Sequence, residues 1–156
     1  MNSIRERLIR EVIRRLEANE FQTVAFDRVI RTEIPEDYDA TKGSLLAVLE
    51  GREELGVNAQ TRDSHLDLFL SFAVPLAAGE EAQAVANNVA AEIVMALHSS
   101  KALEEGGDGT GGQMLTADFK AASIEPNLTD LMDNCAAASV EFRVRIRTGT
   151  TSLFAA

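Results

Sequence analysis

The segment "RDSHLDLFLSFAVPL" (62–76) alternates between two kinds of side chain along almost its whole length. One row begins at Ser64 and continues with apolar residues, namely Leu66, Leu68, Leu70, Phe72 and Val74. The other row is mixed and consists of His65, Asp67, Phe69, Ser71 and Ala73. Because successive side chains of a β-strand point to opposite faces of a sheet, this pattern predicts a strand with one face on a core. Pro75 is expected to end the strand.

A second segment, "SVEFRVRIRT" (139–148), alternates in the same way. Its apolar row, which can cover a core, is Val140, Phe142, Val144 and Ile146. Its other row is Glu141, Arg143, Arg145 and Arg147. Three arginines on one face of one strand repel one another, so the segment raises the question of where their counter-charges lie.

The remaining segments place these two strands in a simple order. Amphipathic helices are predicted at 3–19, where Ser3 and Glu6 form a capping-box pattern, and at 79–100. Further strands are predicted at 21–35, 44–55, 118–128 and 136–149, with a helical turn as the alternative for 44–55. The order α-β-β-β-α-β-β predicts an α+β fold with a mixed, mostly antiparallel sheet and two helices packed on one face.

The 156 residues are expected to form one domain spanning residues 1–156. Two loops within it are predicted to be flexible. The segment near 33–43 contains the acidic, Pro-led stretch "PEDYDATKG", which offers little to a core, and the segment near 104–116 is rich in glycine. The glycines of "GGDGTGG" lack the Lys-Ser/Thr of a P-loop, so a connector is favoured over a phosphate site.

Charge and cysteine content exclude several classes of protein. With 25 acidic against 15 basic residues and a net charge of −10, the chain lacks the basic footprint of broad nucleic-acid binding. A negative wall can nevertheless let DNA slide past it. Cys135 is the only cysteine, which excludes an internal disulfide and a cysteine metal site and fits a reducing cytosol. Neither a signal peptide nor a membrane-spanning segment is expected.

Catalytic residues are scarce. The two histidines are His65 and His98, and a Ser-His-Asp set from Ser64, His65 and Asp67 fails because Ser64 is predicted on the opposite face. A zinc site would need carboxylates as additional ligands. We therefore expect no enzyme activity, no metal and no cofactor.

The arginine row has two possible explanations. It can be a solvent-facing surface that discourages edge pairing, with Asp67 or Glu125 as cross-strand counter-charges. Alternatively, the counter-charges lie on another subunit, since arginine keeps its charge and its forked donors at a buried interface. The candidate acidic residues for such an interface are Glu33, Glu36, Asp37, Asp39, Glu53, Glu54 and Asp108.

The layout as a whole resembles a known family. The relevant features are the N-terminal amphipathic helix, "VAFDRVI", the acidic loop, "RDSHLDLFLSFAVP", "GEEAQAVANNVAAEIVMALH" and "SVEFRVRIRT". In order, spacing and size over roughly residues 3–150, they resemble the tail terminator (tail completion) proteins of long-tailed bacteriophages, the group typified by the minor tail protein that caps the lambda tail tube.

This resemblance implies a function and a set of partners. Such proteins form a hexameric ring at the head-proximal end of the tail tube, end tube polymerisation and provide the surface that joins the tail to the head. The implied partners are further copies of the chain, the tail tube protein and the head–tail connector protein, with DNA passing through the lumen without specific binding and no membrane involved. The implied location is the virion tail or neck, assembled in the host bacterial cytoplasm. Another neck, connector or minor tail protein, or a small bacterial enzyme or ligand-binding domain, remains an alternative.

Overall fold

A computed structural model describes residues 3–57, 61–97, 118–126 and 134–149. The chain is an α+β protein, as predicted. Within the described ranges the elements are, in chain order, α1 (Ile4–Ala18), β1 (Arg28–Ile30), a 3-10 turn (Ala40–Lys42), β2 (Leu45–Val57), β3 (Thr61–Pro75), α2 (Ala82–Leu97), β4 (Asp118–Pro126) and β5 (Cys135–Gly149).

The strands form one sheet in the order β1-β2-β3-β5-β4. β1 runs parallel to β2, and every other neighbouring pair is antiparallel. The two alternating segments recognised in the sequence are direct neighbours, because β3 and β5 pair without interruption from Thr61↔Gly149 to Pro75↔Cys135. Irregularities interrupt β2 between Glu50 and Glu53, and β4 between Ala121 and Ser123.

The core lies between the sheet and the two helices. The apolar rows predicted for β3 and β5 are buried there, with Leu66, Leu68, Leu70, Val140, Phe142 and Val144 at 0% exposure. The apolar stripes of α1 and α2 cover these rows, and Leu46 and Val48 of β2 complete the layer. Both helices therefore pack on one face of the sheet, as the sequence predicted.

The first helix begins where the capping pattern places it. Ser3 is the N-cap, and its hydroxyl accepts a hydrogen bond from the backbone N–H of Glu6 at 3.1 Å. The buried positions of α1 include Ile4, Leu8 and Val12, which recur at helical spacing. The segment 44–55 was predicted to be a strand, with a helical turn as the alternative. The strand is correct, because nearly all of this segment lies in β2, which has 13 residues.

The strand predicted over 21–35 is largely wrong, since only Arg28–Ile30 pairs with a neighbour. The preceding backbone is held by side chains rather than by a ladder. The carboxylate of Glu92 accepts hydrogen bonds from the N–H groups of Gln22 and Thr23. Phe21 and Phe26 meet edge to face at 5.0 Å and pack against the core. These two rings thus anchor the segment to the core without a continuous strand.

The prediction that the segment near 33–43 offers little to a core was also wrong. Ala40 is fully buried in a small cluster with Ala73 and Cys135, and Ile34 and Tyr38 pack against that cluster. The Tyr38 hydroxyl donates a hydrogen bond to the Gly43 carbonyl at 2.7 Å. This segment therefore covers part of the sheet, while its flexibility stays a prediction. The second loop, near 104–116, lies outside the described residues.

Candidate functional site

The face of the sheet opposite the helices, called here the open face, carries the charged row of β5. Three basic side chains on β4 and β5 form the basic patch, defined as Lys120, Arg143 and Arg145. In the register of the sheet, Arg143 lies between Asp67 of β3 and Lys120 of β4. Arg145 lies between His65 and Asp118. The predicted alternation thus brings basic groups from two strands together on one surface.

Arg143 has counter-charges within the chain, but its contacts are loose. Its Nε donates to Asp67 Oδ1 at 3.4 Å, and its second contact joins Nη2 to Glu141 Oε1 at 3.9 Å. The Arg143 side chain remains 62% exposed. Exposed ion pairs at such distances contribute little to stability, at most about 1 kcal/mol. Asp67 is therefore a partner of the kind that the sequence predicted, without satisfying the arginine fully.

Arg145 is the least satisfied member of the basic patch. Its side chain is half-buried, and its Nε is buried without a hydrogen-bond partner among the described residues. A buried donor of a charged group that makes no hydrogen bond is costly, by about 1–3 kcal/mol or more. Folding of the described residues therefore leaves this donor of the open face without a hydrogen bond.

The other predicted cross-strand relations turn out differently. Glu125 is the neighbour of Ser139 in the register, six residues from Arg145, so it does not face the basic patch. Arg147 is opposite Asp63 in the β3–β5 register, and its side chain lies outside the description. The sequence could not fix these relations, because they depend on the strand register and on the irregularity in β4.

The acidic residues predicted in the loop after β1 lie at the far end of the open face. Glu33 and Glu36 line a groove of about 270 Å³ whose floor includes Ser71, Ser139 and Cys135. Ser139 precedes Arg145 by six residues, which corresponds to about 20 Å along a strand. The groove and the basic patch are therefore opposite ends of one surface.

The two further acids of this loop differ from each other. Asp37 is exposed. Asp39 serves as a cap, because its carboxylate accepts from the Thr41 N–H at 3.0 Å and from the Thr41 hydroxyl at 2.6 Å. The Thr41 side-chain hydrogen bond is the main reason that the pKa of Asp39 lies below its ordinary value. Asp39 thus shapes the loop.

Glu53 and Glu54 project from opposite faces of β2. Glu53 lies on the helix side, where it accepts from Arg5 at 3.0 Å. Glu54 is level with His65, is 63% exposed and has Arg52 at 3.4 Å. Glu54 is therefore the better placed of the two to meet another molecule, and Asp108 lies outside the described residues.

An ion-pair network on the helix side was missed by sequence reasoning. Arg5 meets Glu50 at 2.8 Å, and Arg31 bridges Glu50 and Glu6, the latter at 2.9 Å. Hydrogen bonds from Arg31, followed by those from Arg10, hold the pKa of Glu6 below its ordinary value. Only the i,i+4 pairs within α1, such as Arg10 with Glu6, could be expected from spacing. Arg5 and Arg10 of α1 belong to this network, whereas Arg14 and Arg15 pair with Glu11 within the helix.

The geometry argues against the catalytic set considered from the sequence. Ser64 is 3% exposed on the helix side, whereas His65 is exposed on the open face. The groove is lined by neither His65 nor Asp67. In the described ranges, no three His, Cys, Asp or Glu side chains group closely enough to hold a metal ion. No helix in the described part of the chain is long and apolar enough to cross a membrane.

Comparison with known proteins gives a match at the level of fold. No protein-family model matches the chain, and no curated protein matches it. Among solved structures, it is similar to a chain of the "Virion of native gene transfer agent (GTA) particle" with a TM-score of 0.57 and 16% sequence identity. The match covers 95% of this chain and 100% of that one. This chain therefore has the fold of a protein found in that virion.

Proposed function

We propose that this chain is a structural protein of a phage-like virion. The observation that carries the proposal is the similarity of fold to a chain of a gene transfer agent virion, which extends over 95% of this chain and the whole of the other. Such coverage means that the two folds correspond over nearly the whole length of both chains. An unsatisfied charged group on an otherwise ordered surface supports the same conclusion, because it requires a partner.

The specific role that we propose is that of a tail terminator. Copies of the chain form a ring, hexameric as in the family it resembles, at the head-proximal end of a tail tube. The ring ends tube polymerisation and presents the surface that joins the tail to the head. A net charge of −10 suits a ring around DNA, because repulsion from phosphate lets the duplex pass without specific binding.

In this proposal the basic patch, together with Arg147, meets acidic groups of an adjoining copy or tail partner. Glu54, Glu33, Glu36 and Asp37 are the candidate counter-charges that the fold leaves accessible, since each is exposed. Glu53 and Asp39 already have partners within the chain. A ring requires two different surfaces on each subunit, and groups of opposite charge supply such a pair.

Electron microscopy tests the role directly. Negatively stained protein is expected to show closed rings, and rings added to tail tubes should cap one end and stop further addition of tube subunits. The triple variant Arg143→Ser, Arg145→Ser, Arg147→Ser should give folded monomers without rings. Arg10→Ser is the matched control, because it removes an exposed arginine from α1. Rings that bind the connector without blocking tube growth would indicate another neck protein, and rings formed by the triple variant would refute the role of the arginines.

A ligand-binding domain is the second candidate, and the groove is the observation that favours it. Its volume of about 270 Å³ is near the lower limit for small-molecule sites. Native mass spectrometry of the purified protein distinguishes the two functions. A bound metabolite on a monomer would favour ligand binding, whereas a multiple of 16.9 kDa without added mass favours the virion role.

A further inference from the structure

Each end of the sheet leaves a strand edge without a partner among the described residues. β4 is the last strand at one end, and its residues 120–125 are all exposed. At the other end, β1 covers β2 only from Leu45 to Ala47, so the rest of β2 has no described strand on that side. Unpaired backbone N–H and C=O groups along an edge are a template for pairing with another chain.

The two edges have the polarity needed to pair with each other between copies. β2 is antiparallel to β3, β3 to β5, and β5 to β4, so β4 runs antiparallel to β2. A neighbour related by rotation about an axis along the strands keeps these directions and keeps its helices on the same side. Its β2 therefore meets β4 as an antiparallel strand. The two edges differ, so the contact is heterologous, as a closed ring requires.

The irregularities of the two edges also fit together. Lys120 of β4 and Glu54 of β2 both belong to the open face, and opposite charges on directly facing residues stabilise a strand pair. With Lys120 opposite Glu54, Ala121 is opposite Glu53, Ala122 opposite Arg52 and Ser123 opposite Gly51. The extra residue of β4 between Ala121 and Ser123 then faces the extra residue of β2 between Glu50 and Glu53. The two interruptions thus compensate for each other, and pairing continues through them.

We propose that β4 of one copy pairs antiparallel with the free edge of β2 in the next copy, with Asp118–Ser123 along Gly51–Gly56 and Lys120 beside Glu54. This contact rests on the proposed function only in that it joins copies of one chain into a ring. It extends the sheet from subunit to subunit. It also brings Glu54 of the neighbour to the edge of the basic patch, with only β4 between it and the strand of Arg143 and Arg145.

Disulfide trapping tests this contact in the full-length protein. The background variant Cys135→Ser removes the native thiol, which is buried. Within one chain, Lys120 and Glu54 are separated by β5 and β3, so their backbones are about 14 Å apart and cannot be bridged by a disulfide. In the variant Lys120→Cys, Glu54→Cys, mild oxidation is therefore expected to produce covalent dimers, trimers and larger species up to the size of the ring.

The single-cysteine variants separate the alternatives. Lys120→Cys alone and Glu54→Cys alone should remain uncrosslinked, and their mixture should give a dimer. Crosslinking of Lys120→Cys alone would show that β4 pairs with β4 and would overturn the proposal. An assembly that light scattering detects but that the double variant fails to trap would overturn the edge contact and leave the proposed ring standing. A protein that stays monomeric would overturn both.

Charge reversal provides a second measurement that does not depend on oxidation. Lys120→Glu and Glu54→Lys each place like charges opposite each other, which weakens the contact. Each variant should therefore need about ten times more protein than the parent to form the assembly. The double reversal should restore most of the assembly. Additive weakening in the double variant would show that the two residues do not meet.

Discussion

Arginine side chains are paired far more completely on one face of the sheet than on the other. On the helix side, Arg5 and Arg31 each meet two carboxylates, and Glu50 lies between them. On the open face, Arg143 has only two long contacts, and the Nε of Arg145 has none among the residues described. The same strands support both faces, so the contrast does not come from poor packing.

This contrast distinguishes residues that stabilise the fold from residues that are expected to contact another molecule. The helix side combines the apolar core with ion pairs that close over it, as expected for a surface completed by folding. The open face leaves a buried guanidinium donor unsatisfied, as expected for a surface completed by another molecule. Substitutions on the two faces should therefore have different consequences, and the following predictions run from the largest expected effect to the smallest.

A core truncation on the helix side should have the largest effect on stability. Leu68 is 0% exposed, and Leu68→Ala is expected to lower the free energy of unfolding by about 2–5 kcal/mol, measured by urea denaturation. Leu49→Ala is the matched control, because Leu49 is half-buried beside the groove on the open face. It should cost no more than about half as much. Equal losses at the two positions would contradict the separation of the faces.

The irregularity in β2 should be nearly as sensitive. A methyl group on Gly51 would come within 2.6 Å of the Phe69 ring and 2.9 Å of the Asp67 carbonyl oxygen. Because the backbone of β3 must move to relieve the second contact, Gly51→Ala should destabilise the protein by about 1–3 kcal/mol. The shift in urea midpoint measures this, and Gly79→Ala is a comparison in which no neighbouring atom is within 4 Å, although its positive φ adds backbone strain. A Gly51→Ala variant as stable as the parent would show that Phe69 does not cross β2 in this way.

The helix-side network should give a smaller, pH-dependent effect. Hydrogen bonds from Arg31 lower the pKa of Glu6, so this pair stabilises the fold above the unfolded pKa of about 4.3 and the contribution is lost as pH falls through the lower folded pKa. Arg31→Met should therefore cost under about 1 kcal/mol at pH 7, since both side chains are partly exposed. Unfolding curves recorded at decreasing pH should converge with those of the parent below pH 4. A constant difference at all pH values would point to lost packing instead.

The architecture could be predicted from sequence wherever a row of side chains alternates over a long segment. Leu66–Val74 and Val140–Ile146 do so, and they fix the central strand pair and the buried face. Residues 21–27 could not be assigned, because their backbone is held by Glu92, about 70 positions away, and no local pattern shows that contact.

The candidate site was predictable only in part for a related reason. The arginine row followed from local alternation. Whether Glu50, Glu53 and Glu54 lie on the helix side or on the open face depends on an irregularity in β2. This irregularity reverses the face of every following residue. Similarly, the edges of β2 and β4 that no described strand covers follow from strand order, which no local pattern contains.

The smallest effect on stability and the largest on assembly are expected at Arg145. Arg145→Ser removes an unsatisfied buried donor, which favours folding, and also the packing of the half-buried arginine stem, which opposes it. Because these two effects oppose each other, the free energy of unfolding of the isolated chain should change by no more than about 0.5 kcal/mol. Light scattering should give a single assembly of several copies for the parent and for Arg10→Ser, and a 16.9 kDa monomer for Arg145→Ser. A parent protein that is already monomeric, or an Arg145→Ser variant that keeps the full assembly, would contradict the claim that the open face is completed by another copy.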